Sequence, residues 1–107
     1  MNLEKLTSDV RMAKAAGVLA SITATDGGSA NLDSAFLALA KGQRTAPVCA
    51  AIEAGGLSCS PSRWLGRGVM IAPPGFGQAD KRYAANQAVV KDLRNAGWSV
   101  VPYCQMD

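Results

Sequence analysis

The chain contains no histidine. That absence excludes a Ser-His-Asp triad, a Cys-His nucleophile pair and any zinc site built on imidazole. A general base near neutral pH would have to be a shifted Asp, Glu, Lys or Cys. Eight Asp and Glu residues, scattered singly, offer such a group little support. Cysteine is scarce and odd in number: Cys49, Cys59 and Cys104, with no C-x-x-C spacing. This argues against a disulfide framework, a zinc ribbon and a thioredoxin-type motif, and predicts reduced thiols in a cytoplasmic protein. Cys49 and Cys104 stand among apolar neighbours and are expected as small core residues. No run approaches the roughly 20 apolar residues of a membrane span. Residues 15–25 follow Lys5, Arg11 and Lys14 in a manner faintly like a signal sequence. Glu4 and Asp9 interrupt the basic part, and Ser21 and Thr23 the apolar part, so the segment reads as helix and no membrane partner is expected.

Large apolar residues are also few. Hydrophobic residues make up 49% of the chain, but 19 of them are alanines, and Leu, Ile, Val and Phe together number 22 of 107. A buried CH₂ contributes only about 0.8 kcal/mol, so an alanine-rich core is thin. The composition still lies just above the ~20% floor associated with disorder. The length is that of one domain, residues 1–107.

What is present alternates between helical and extended patterns. Leu3, Leu6, Val10 and Ala13 recur at helical spacing over residues 3–20, with Asn2 as N-cap and Gly17 weakening the end. Residues 25–29 are a breaker cluster. A second helix is expected from Asn31 or Asp33 to Lys41, with Leu32, Phe36, Leu39 and Ala40 on its buried face. Thr45 is read as the cap of a third helix, with Pro47 in its first turn and Gly55-Gly56 as its stop. Val69-Met70-Ile71 reads as a strand, Asp80 to Ala96 as a helix with Asn86 misplaced on its apolar side, and Trp98 to Cys104 as a strand. Pro102 marks the last strand as an edge or an end. The last three elements form a βαβ-like unit with parallel strands. Two strands make a marginal sheet, so residues 18–24 or 57–60, or a second chain, must complete it. The fold class is thus α+β: N-terminal helices followed by a βαβ-like segment with a small sheet.

Three segments carry candidate chemistry. Gly75-Phe76-Gly77-Gln78-Ala79-Asp80 lies between a strand and a helix, where phosphate loops sit. Asp80 replaces the third glycine of the dinucleotide pattern and would repel a phosphate, so a structural turn capped by Asp80 is the better reading. No cofactor is expected. Ser58-Cys59-Ser60 precedes Arg63, which could depress the Cys59 pKa, yet the spacing misses the phosphatase pattern. The charge pattern is more informative. The whole net charge is +3. Residues 41–67 alone hold Lys41, Arg44, Arg63 and Arg67 against Glu53, also +3. Trp64 and Leu65 stand between the last two arginines. An aromatic anchor flanked by guanidinium groups suits a protein interface.

The expected function is therefore a non-catalytic protein-interaction module, an adaptor or small inhibitor, that also self-associates. Its contact residues are Arg63, Trp64, Leu65 and Arg67, with Lys41 and Arg44 nearby if the loop folds back. The alternative is nucleic-acid binding through the same basic segment. A second alternative is a small enzyme centred on Cys59 or Asp80.

Overall fold

Asn2 starts the first helix as expected. Its side chain accepts a hydrogen bond from the Lys5 backbone N–H at 3.0 Å, and Glu4 lies in the positive first turn. The helix, α1, runs Leu3–Thr23, three residues beyond the expected end at residue 20. Its buried residues are Leu6, Val10, Ala13, Gly17 and Ser21, one continuous stripe. The computed structural model describes residues 1–24, 33–74 and 80–103, with Asp80 described by its backbone alone. The breaker cluster at 25–29, the loop Gly75 to Ala79 and Cys104 lie outside the described residues.

The expected second helix is instead a strand, β1, Ser34–Ala38. Ala35, Phe36 and Leu37 are all buried, so the strand is covered on both faces and shows no polar alternation. A strand of this kind reads as a plain apolar run, which periodicity cannot tell from a helix. The remaining elements are α2 (Thr45–Ala54), β2 (Cys59–Arg63), β3 (Arg67–Ile71), α3 (Asp80–Asn95) and β4 (Val100–Tyr103). Thr45 is the first helical residue rather than the cap; Arg44 holds the cap position without a side-chain hydrogen bond.

The sheet has four strands in the order β2-β3-β1-β4, every neighbouring pair antiparallel. The chain therefore follows one helix with β-α-β-β-α-β, the split βαβ arrangement. The expected unit β3-α3-β4 does have parallel strands, but β1 lies between them. The α+β class is thus as expected, with a larger sheet. Residues 59–63 supply one extra strand and residues 34–38 the other. With four strands in the sheet, strand completion by a second chain is not required. Both edge strands, moreover, contain a proline, Pro61 in β2 and Pro102 in β4.

Register assigns the faces. Cys59, Ile71, Ala35 and Pro102 form one row across the sheet, and Pro61, Val69, Leu37 and Val100 the next row on that face. Ala35, Leu37, Val69, Ile71 and Val100 join Val48, Cys49, Ala51 and Ile52 of α2 and Val89, Val90 and Leu93 of α3 in the core. Fully burying a Val, Leu or Ile side chain contributes roughly 1.5–3 kcal/mol, so these few large residues carry most of the stabilisation. Helix α1 packs on α3 and α2, not on the sheet, and makes a third layer. Trp98 fastens the chain before β4 to α1. Its indole N–H donates to Asp9 Oδ2 at 2.9 Å, while Lys5 Nζ lies 4.9 Å from its ring centroid and 2.6 Å from the same carboxylate oxygen.

Candidate partner-binding site

The opposite face of the sheet carries Ser60, Met70, Phe36 and Val101 in one row, with Ser62 and Gly68 in the adjacent one. Its Phe36 is covered from within the β2–β3 hairpin. Gly66, at φ +83°, turns the chain between the two strands, and Trp64 lies back across the sheet. Its ring meets Phe36 edge-on at 5.7 Å between centroids and Tyr103 at 4.7 Å. Edge-to-face pairs of this kind contribute about 0.5–1.5 kcal/mol each beyond their burial. Phe36 is only 1% exposed beneath this cover, whereas Trp64 is 41% exposed and Leu65 58%. The indole is thus half packed and half presented.

The two arginines that bracket the hairpin tip are directly opposed, Arg63 against Arg67. Like charges in this position destabilise a strand pair. Arg67 is partly relieved: its Nη2 donates to the Ala40 carbonyl at 2.9 Å. Arg63 is exposed. Among the described residues the one ion pair is Lys5–Asp9, so neither guanidinium has an ionic partner there. The segment after β1 does fold back. Leu39 N–H donates to the Arg67 carbonyl at 3.0 Å, and the Ala40 N–H is capped by Gln43 Oε1 at 2.8 Å. Exposed Lys41 and Arg44 are thereby held at the same end of the sheet as the hairpin tip. Thr45, Pro61, Ser62, Arg63, Arg67 and Gly68 line an open concavity of about 370 Å³ there.

All six residues expected at the contact surface therefore occupy one corner of the fold. Sequence reasoning missed Phe36 and Tyr103, which seat the indole, and Thr45 and Ser62, which line the concavity. The spacing of Phe36 suits a helix face as well as a strand, and nothing in the chain marks Tyr103 as its neighbour.

Cys59 does not have the depressed pKa expected from Arg63. Burial pushes its thiol up, and the hydrogen bond with Cys49 and the charges of Cys49 and Glu53 act in the same direction. Asp80 begins α3, but its side chain lies outside the described residues. Among the described residues no three Cys, Asp or Glu side chains converge as a metal site would require. No helix there is long and apolar enough to cross a membrane.

A second apolar surface runs along the outer side of α1. Met12, Leu19 and Ile22 are exposed there, beside Arg11 and Lys14. It is separate from the hairpin corner, and the sequence pattern had assigned only the inner stripe of this helix. No protein-family model, curated protein or solved structure matches the chain.

Proposed function

We propose that this protein is a non-catalytic recognition module, an adaptor or small inhibitor, that engages a protein partner through the tip of the β2–β3 hairpin. One observation carries the reading: an exposed Trp64-Leu65 pair is held between two opposed arginines that have no ion pair among the described residues. Exposed indole and leucine surface gains by entering an apolar pocket, and the arginines gain by meeting carboxylates at its rim. The partner surface that fits is thus an apolar depression bordered by acidic side chains. Lys41 and Arg44 extend the same charge outward.

Nucleic-acid binding is the second reading, supported by the lack of any acidic side chain in the tip and the 39–44 segment. The burial of Phe36 weighs against it. Single-stranded nucleic acid is gripped by successive aromatic platforms, and here Trp64 covers the next ring.

The test is capture from a native extract, with and without nuclease, using the wild type, Leu65→Glu, Arg63→Glu and Leu19→Lys. Leu65 and Arg63 are exposed and do not hold Phe36, so their replacement leaves the fold intact. A stoichiometric protein that survives nuclease, is lost with the first two variants and is kept with Leu19→Lys supports the proposal. Unchanged capture by Leu65→Glu and Arg63→Glu would overturn it. Binding to random single-stranded DNA or RNA that weakens steeply with salt would favour the second reading.

A further inference from the structure

Cys49 lies on the buried side of α2, and Cys59 opens β2 on the sheet face turned toward that helix. Their sulfur atoms are 2.9 Å apart, and both are free thiols. Gly55 and Gly56 make the turn that brings the strand back alongside the helix. A disulfide bond is about 2.05 Å long, so the two sulfurs need to close by only about 0.9 Å. Ten residues of sequence separation hid this pair, since neither a C-x-x-C motif nor an even cysteine count announces it.

We propose that Cys49 and Cys59 are a disulfide-forming pair, closed by exchange with a low-molecular-weight disulfide such as oxidised glutathione, and that the bond fastens edge strand β2 to α2. Cys59 reacts first because it is partly exposed, whereas Cys49 is buried. The Cys59 thiol loses its proton, and its sulfur attacks one sulfur of the small disulfide. One small thiol departs and a mixed disulfide remains on Cys59. Cys49, already in contact, then attacks the Cys59 sulfur and expels the second small thiol. Two protein thiols are oxidised by two electrons, one small disulfide is reduced to two thiols, and the two protons pass to the leaving thiols. The burial that keeps Cys59 protonated slows the first step without changing which residue completes the second. The resulting tether lies four residues before Arg63, at the base of the strand that leads into the hairpin tip.

The experiment uses the full chain, reduced and then equilibrated with glutathione at increasing oxidised fraction, quenched with N-ethylmaleimide and analysed by mass. Relative to the reduced chain, the expected product has lost two hydrogens, about 2 Da, to the disulfide and has gained a single maleimide, on Cys104. Trypsin alone leaves Cys49 and Cys59 in one peptide, so cleavage after Glu53 is added, and the two fragments remain joined until reduced. Closing this short loop lowers the unfolding equilibrium constant by about 100-fold and raises the Tm on the order of 10 °C. The rise is expected in Cys104→Ser and absent in the double variants Cys49→Ser/Cys104→Ser and Cys59→Ser/Cys104→Ser. Three alkylated thiols at oxidant levels that cross-link the urea-unfolded chain would overturn the proposal. So would a first bond to Cys104, or a Cys49–Cys59 bond that leaves the Tm unchanged.

Discussion

Gly68 lies directly against the ring of Phe36: a Cβ added at position 68 would stand 2.5 Å from Phe36 Cζ and 2.4 Å from the Leu37 carbonyl oxygen. The second contact is with backbone, which has no rotamer to yield. Gly68 therefore sets how closely β1 and β3 carry the Phe36–Trp64 pair. Gly68→Ala is expected to lose about 1–3 kcal/mol by overpacking. Urea unfolding measures the loss. Tryptophan fluorescence reports the second consequence, a Trp64 indole displaced from Phe36 and more open to water.

Asp9 and Trp98 predict how stability responds to acid. The hydrogen bond from Lys5 and then that from the Trp98 indole hold the Asp9 carboxyl below its ordinary value of 3.8, against the opposing effect of burial. A carboxyl whose pKa is lowered by folding stabilises the fold above its unfolded value. That contribution disappears as the pH falls through the lowered folded value. In Trp98→Phe the Asp9 titration, followed by NMR, should move up toward 3.8, and acid unfolding should begin at higher pH. Asp9→Asn should be less stable than the wild type at neutral pH, with the gap narrowing as the pH falls from about 3.8 through the lowered folded-state value of Asp9.

Asn86 is fully buried on the apolar side of α3, and its amide nitrogen donates to the Ser34 carbonyl at 2.9 Å. The residue that looks misplaced on a helical wheel thus ties α3 to the start of β1. Asn86→Ala removes the donor and leaves a small void, a loss of about 1–3 kcal/mol. Asn86→Asp puts a carboxylate oxygen where the donor stood, facing a carbonyl. It should be more destabilising than alanine at neutral pH, and should recover toward it in acid as the carboxyl protonates. Paired urea titrations at two pH values distinguish the variants.

These particular residues also mark how far the chain could be read directly. The helix starts at Asn2 and near Pro47, and the stop at Gly55, were legible to within a residue because they are written locally; the end of α1, with no such signal, was not. The parallel relation of β3 and β4 followed from the length of α3 and the handedness of crossovers. The strand at Ser34–Ala38 was not legible, because a strand buried on both faces loses the period-two signal and its alanines and leucines suit a helix equally well. Missing that strand hid the central position of the sheet. It also hid the neighbours of Trp64, which come from β1 and β4, and the approach of Cys49 to Cys59, which depends on where β2 attaches. Arg63, Trp64, Leu65 and Arg67 were found together because a hairpin tip is contiguous in sequence. Tyr103, some forty residues from Trp64, was found only by the fold.

The prolines at the two borders of the sheet have a consequence for the protein in crowded solution. Pro61 and Pro102 each withhold an amide proton from any strand that might dock alongside. Lateral growth of the sheet from one molecule into the next would meet an interrupted ladder on either flank. The chain can therefore keep Trp64 and Leu65 exposed at the hairpin tip without offering a template for fibrils, and concentrated samples should resist conversion to amyloid.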